Sequence, residues 1–287
     1  MLMDHIGEFF PDSPIWFQWL GRLAAPLFFY ALAVGFQHTR NRKKYLLRLY
    51  LANVGMVFFN QIMCMLQRKL DYVAYQPKNH NIFTTLFCAG VLICIWENRK
   101  EKKKFFTYIG IYIFWQAMVM GLAILAEAFD CVWRGNALLQ TVLRTNYIFP
   151  LLGGIWDAEG GVFFIVLGVW LYCAVENKWK LALRYILFCG AYMFMCQGDI
   201  LYRIMSRFSF WGYHKLADVI YFGSSFVGIP LGTSDLSLLT EFYQWMMIGA
   251  LPIMLSCNGK RGKSLKWLFY AAYPLQFLVL YGISYYK

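Results

Sequence analysis

A chain of 287 residues with 60% hydrophobic, 20% aromatic and only 15% charged residues has long apolar runs that exclude a soluble fold and point to a membrane. Its formal net charge of +12 does not point to nucleic acid. The basic residues fall in short loops between apolar runs, as the positive-inside bias produces, and not on one continuous folded face.

In chain order, MLMDHIG comes first and brings Asp4 and His5 to the membrane after three residues. An acidic residue stands where a secretory signal would carry basic ones, so no cleavable signal peptide is read here. The expectation is a first helix cut short, with the true start upstream. Spanning helices are expected over 15–37, 45–66, 82–96, 105–129, 160–175, 181–203, 241–257 and 265–285, each near the roughly 20 apolar residues that hydrocarbon demands. Segments 138–156 (Arg144, Asn146, Pro150, Gly153, Gly154) and 215–230 (Lys215, Asp218, Gly223, Gly228, Pro230) are interrupted, and either could be re-entrant.

The fold class is therefore an all-α polytopic integral membrane helical bundle of 8–10 spans, read as a single domain over 1–287. The basic loops are TRNRKK (39–44), ENRKEKKK (97–104), ENKWK (176–180) and NGKRGKSLK (258–266). With eight spans all four are cytoplasmic. With ten, Lys178, Lys180 and Arg184 exchange sides with Arg203, Arg207 and Lys215. Either count puts 67–81 and the C-terminus outside the cell membrane, with 39–44 and 258–266 in the cytoplasm. The abundant Trp and Tyr suit interfacial belts.

Polar groups inside apolar runs are costly and mark candidate sites. Arg22 sits in WLGRLAAPLFF and needs a partner, for which Asp4 or an anionic ligand would serve; otherwise it snorkels to the interface. Asn60 and Gln61 suit helix–helix hydrogen bonding. Asp199 and Arg203, four apart, suit an internal ion pair. The eight cysteines form no CxxC or CxxH and read as small packing residues, with Cys131 nearest a surface; no metal set is expected.

Of the four histidines, His38 precedes a basic loop, His80 lies beside Asn81 at a span entrance, and His214 is in a loop of unresolved side. His5 is the best candidate base, since imidazole exchanges a proton near neutral pH. Neighbouring helical residues point about 100° apart, so Asp4 could clamp Arg22 while Asp157 or Glu159 of WDAEGG (156–161) reaches His5. No GxSxG, HExxH, Walker or GxGxxG motif is present.

Several longer pieces carry a resemblance. DHIG (4–7), GRLAAPLFFYALAVGFQHTRNRKKYLLRL (21–49), NIFTTLFCAG (81–90), WDAEGG and NGKRGKSLKWLFYAAYPLQFLVLY (258–281) occur in the order found in the TraX family. That family's founding member is associated with N-acetylation of pilin, and it looks like a branch of a broader transmembrane acyltransferase group. The resemblance implies a bundle that takes acetyl-CoA from the cytoplasm and passes acetyl to an amine or hydroxyl acceptor. It casts His5 as base or, second to that, as a transient acyl carrier, Arg22 or nearby polar groups as oxyanion partner, and Arg40, Arg42, Lys43, Lys260 and Arg261 as phosphate-attracting residues, although those loops equally serve as topology determinants. Further polar candidates are His80, Asn81, Tyr273 and Gln276. Family members commonly have histidine after the Tyr-Pro of the last helix, where this chain has Gln276. Alternatives are a small-molecule or lipid transporter or flippase, or an inert membrane partner; the acceptor (peptide amine, glycan or lipid) stays open.

Overall fold

The computed structural model describes residues 1–10, 12–69, 81–132, 145–156, 158–197, 203, 207, 213–230, 236–258 and 266–285, and every regular element among them is helical. In chain order these are α1 (Leu2–Phe9), α2 (Trp16–Gly21), α3 (Ala24–His38), α4 (Arg42–Lys69), α5 (Ile82–Glu97), α6 (Lys102–Val132), α7 (Thr145–Leu151), α8 (Gly161–Tyr172), α9 (Lys178–Gln197), α10 (Tyr213–Val227), α11 (Ala250–Ser256) and α12 (Lys266–Tyr285). Short 3-10 helices cover Asn98–Lys100 and Tyr243–Gly249.

Among the described residues, five stretches are long and apolar enough to cross a membrane: Trp16–His38, Arg42–Met63, Ile82–Lys100, Lys102–Ala126 and Lys178–Gln197. Gly161–Tyr172 and Leu268–Ser284 are apolar but shorter. The long helices are apolar on their outer faces as well as where they pack, which is how a bundle meets lipid. Along α6, Phe106, Ile113 and Phe114 are each more than 60% exposed, a costly arrangement in water and a favourable one in hydrocarbon.

Two expected spans take other forms. Residues 241–257 are not one regular helix: a 3-10 run over Tyr243–Gly249 leads into the seven-residue α11. A 3-10 turn rises about 2.0 Å per residue against about 1.5 Å in an α-helix, so the pair still extends roughly 25 Å. Tyr185 on α9 donates its hydroxyl to the Met247 carbonyl at 2.5 Å, accounting for one carbonyl of the tighter coil. The span expected at 160–175 is the twelve-residue α8, about 18 Å long. Of the two interrupted segments, the described part of 138–156 is the seven-residue α7 followed by a turn through Gly153 (φ +66°), while 215–230 is largely the helix α10. Asp199 lies outside the described residues.

The described residues gather into two compact units, one made of 1–37 with 170–287 and the other of 38–169. In the first, α1 packs on α2 and α12, α2 on the 3-10 run, and α9 on the 3-10 run and α11. In the second, α4 packs on α5 and α7, and α6 on α7.

Candidate functional site

Within the first unit the polar candidates meet around α1. His5 and Phe9, four apart, share one face of that helix. They dock on Tyr273, Phe277 and Tyr281, which are spaced four apart along α12. The His5 ring lies 4.3 Å from the Phe277 ring and 6.3 Å from Tyr273, both edge-on, and Phe9 meets Tyr281 at 4.9 Å. His5 is only 3% exposed, so its imidazole sits in an aromatic setting rather than in solvent.

Asp4, one position earlier, faces α2 instead. Its Oδ1 accepts from Arg22 Nη2 at 2.9 Å. Arg22 Nη1 also donates to Gln244 Oε1 at 3.2 Å, and the guanidinium carbon lies 5.2 Å from the centre of the Tyr243 ring. Arg22 Nε is buried with no hydrogen-bond partner, so one donor of a fixed cation remains uncommitted. Close approach of the two helices depends on Gly21, where any side chain would run into Asp4, and Gln18 Nε2 adds a bond to the Gly7 carbonyl at 3.3 Å.

On α12, Tyr273 is buried at 4% exposure. Gln276, three residues further on, is half-buried and its Nε2 has no hydrogen-bond partner.

The second unit has a polar core of a different kind. The loop after α7 is irregular backbone in an apolar setting, where every N–H and C=O must find a partner. Side chains of α4, α5 and α6 supply them. Gln116 Nε2 donates to Gly153 O at 3.1 Å while its Oε1 accepts from Ile155 N at 3.0 Å. Asn53 Nδ2 donates to Pro150 O, Tyr50 to Leu151 O, Trp115 to Leu152 O, and Thr85 to Glu159 O. Asn53 Oδ1 in turn accepts from Asn81 Nδ2 and Thr84 Oγ1, both at 2.7 Å.

The candidate residues therefore divide. Asp4, His5, Arg22, Tyr273 and Gln276 belong to the first unit, and Asp4 with Arg22 form a direct pair. Glu159 is a half-buried residue of the second unit, as are Asn81 in the core and Arg40, Arg42 and Lys43 near the start of α4. Arg40 and Lys43 are exposed, whereas Arg42 is committed to Glu97 at 2.8 Å and to the Thr39 carbonyl. His80, Asp157, Lys260 and Arg261 lie outside the described residues. Among the described residues, no group of three His, Cys, Asp or Glu side chains could hold a metal ion.

Sequence reasoning did not single out Gln244, Tyr243, Asn53 or Gln116. Their signal was present as lone polar residues inside apolar runs, of the same kind that drew attention to Asn60 and Gln61.

An all-helical multi-pass bundle with a buried imidazole on one side of its first helix and a clamped guanidinium on another defines an integral membrane protein whose polar groups are placed within its packed helices. The family described as TraX protein matches residues 1–192, more than half of the chain, and the chain belongs to that family. No curated protein and no solved structure matches it.

Proposed function

We propose that this TraX-family chain is a membrane-embedded acetyltransferase that moves acetyl from cytoplasmic acetyl-CoA to an amine or hydroxyl acceptor. The observation that carries the reading is Arg22, held by Asp4 and Gln244 with Nε uncommitted, next to a helix whose His5 imidazole is buried against Tyr273 and Phe277.

In this reading His5 accepts the proton of the acceptor as it attacks the thioester carbonyl, and returns it to the departing thiolate. Arg22 stabilises the negative charge that develops on the carbonyl oxygen; its orientation is set before reaction by Asp4, so little reorganisation is needed. Neutralisation by Asp4 weakens that cation, and the free Nε–H is what keeps it useful. The exposed Arg40 and Lys43 fit the phosphates of the donor as diffuse attraction. Arg42, tied to Glu97, serves the fold first. The C-terminus then lies outside the cytoplasm, which a C-terminal phosphatase fusion in intact cells would read as active enzyme.

The test is acetyl transfer, or slow hydrolysis, of labelled acetyl-CoA by the purified full-length protein. His5→Ala should lower turnover by about 100-fold or more while the melting temperature holds. Turnover unchanged in that variant rejects His5 as base. Substrate flux across vesicles without any acetyl-CoA binding points to transport instead.

A further inference from the structure

The second unit carries a groove that the polar site does not use. It has a volume of about 380 Å³ and is walled by Leu46 of α4, Val91 and Ile95 of α5, and Ile111 and Trp115 of α6. Asn98 and Tyr108 stand at the end nearest the loop between α5 and α6. The lining is overwhelmingly apolar and partly open: Ile111 is 59% exposed and Trp115 41%. In a membrane protein such an opening faces lipid rather than water.

Its depth and its mouth say what would fill it. The α6 residues that line it, Tyr108 to Trp115, span about 10 Å of helix, a third of a hydrocarbon core about 30 Å thick. The groove thus lies within one leaflet, with Lys102 about 9 Å further along the helix towards the membrane surface. Beyond Asn98 the chain continues into Arg99, Lys100, Lys102, Lys103 and Lys104, all exposed. Lys104 pairs with Glu101 at 2.7 Å and the Arg99 guanidinium lies 5.3 Å from the Trp96 ring centre. Lys100, Lys102 and Lys103 remain as exposed ammonium groups around the first turn of α6, whose dipole also favours an anion.

We infer that this groove binds one acyl chain of an anionic phospholipid, with the phosphate headgroup on Lys100, Lys102 and Lys103. An apolar slot within one leaflet would by itself take any lipid tail; the cluster of cations one to two turns further towards the surface supplies the choice of headgroup. Each basic residue at a membrane surface adds to the attraction for anionic lipid. As simple topology determinants the same lysines would select no lipid after purification, so the two roles separate experimentally.

The experiment is native mass spectrometry of the full-length protein in detergent, titrated with dioleoyl phosphatidylglycerol or dioleoyl phosphatidylcholine. The wild type should retain the anionic lipid roughly tenfold or more over the zwitterionic one. The triple change Lys100→Gln, Lys102→Gln and Lys103→Gln should bring the two lipids to parity without abolishing either. Val91→Phe, which fills the slot, should reduce both. Ile111→Phe provides a second filled variant, read if Val91→Phe lowers the melting temperature. Ile113→Phe, on the outward face of α6, should change neither lipid. Parity in the wild type, an undiminished preference in the triple variant, or wild-type retention in a folded filled variant would each overturn the inference. Displacement of the anionic lipid by inorganic phosphate would overturn the commitment to a lipid.

Discussion

Arg22 Nη2 lies 2.9 Å from Asp4 Oδ1, joining residues eighteen positions apart across the contact of α1 with α2. The side chains are 31% and 26% exposed, so the pair is neither fully desolvated nor a surface ornament. A double-mutant cycle with Asp4→Asn and Arg22→Gln should give a favourable coupling of about 1–2 kcal/mol, between the values typical of exposed and buried pairs. Denaturation of the detergent-solubilised variants measures it. Coupling indistinguishable from zero would mean that Gln244 and Tyr243 hold Arg22 without help from Asp4.

That contact was legible in the sequence for a physical reason. A guanidinium amid Leu, Ala, Pro and Phe is costly enough that a nearby carboxylate becomes a strong expectation. Hydropathy located the five long apolar stretches by the same logic, since hydrocarbon thickness sets their length. It could not reveal that 241–257 coils as 3-10 and then α, because hydropathy reports composition and not which carbonyl an N–H chooses. Nor could it separate Asn53 and Gln116, which bond loop backbone, from Asn60 and Gln61: a lone amide in an apolar run reads the same whatever its partner. Only the chain path after Pro150 distinguishes them.

Gln116 is the most demanding of these amides. Truncation to Leu removes the acceptor for Ile155 N and leaves Gly153 O with only the weak Cys88 thiol donor at 3.6 Å. The expected loss is about 2–4 kcal/mol, from roughly 1–3 for the stranded Ile155 N–H and less for Gly153 O. Thermal unfolding in detergent checks it. A loss below 0.5 kcal/mol, on the order expected of a surface change, would show that the loop finds other partners.

Gly153 answers a steric question at the same loop. Its φ is +66°, and a Cβ there would lie 2.8 Å from Phe87 Cε1. Gly153→Ala should therefore destabilise by at least about 1–2 kcal/mol from backbone conformation alone, with the ring clash added. Adding Phe87→Leu should recover the clash and leave the backbone part. Gly110→Ala is the matched control, because no atom lies within 4 Å of its Cβ position and helix propensity favours alanine. If both glycine variants melt alike, the turn is not built as described.

Gln276 separates a structural role from a functional one. Its Nε2 is buried with no hydrogen-bond partner, and an unsatisfied buried amide costs about 1–3 kcal/mol. Gln276→Met, which keeps the length and removes the polarity, should raise stability by about 1 kcal/mol or leave it unchanged. Under the proposed acetyl transfer that cost is of the kind a functional site carries, trading stability for activity. The same variant should then lose acetyl transfer from labelled acetyl-CoA, whereas Gln276→His, able to donate a hydrogen bond from the same helix position, should retain or increase it. A Met variant that is destabilised by more than about 1 kcal/mol would show instead that the amide has partners on folding. One that is stabilised yet fully active would remove Gln276 from the site and leave the chemistry to His5 and Arg22.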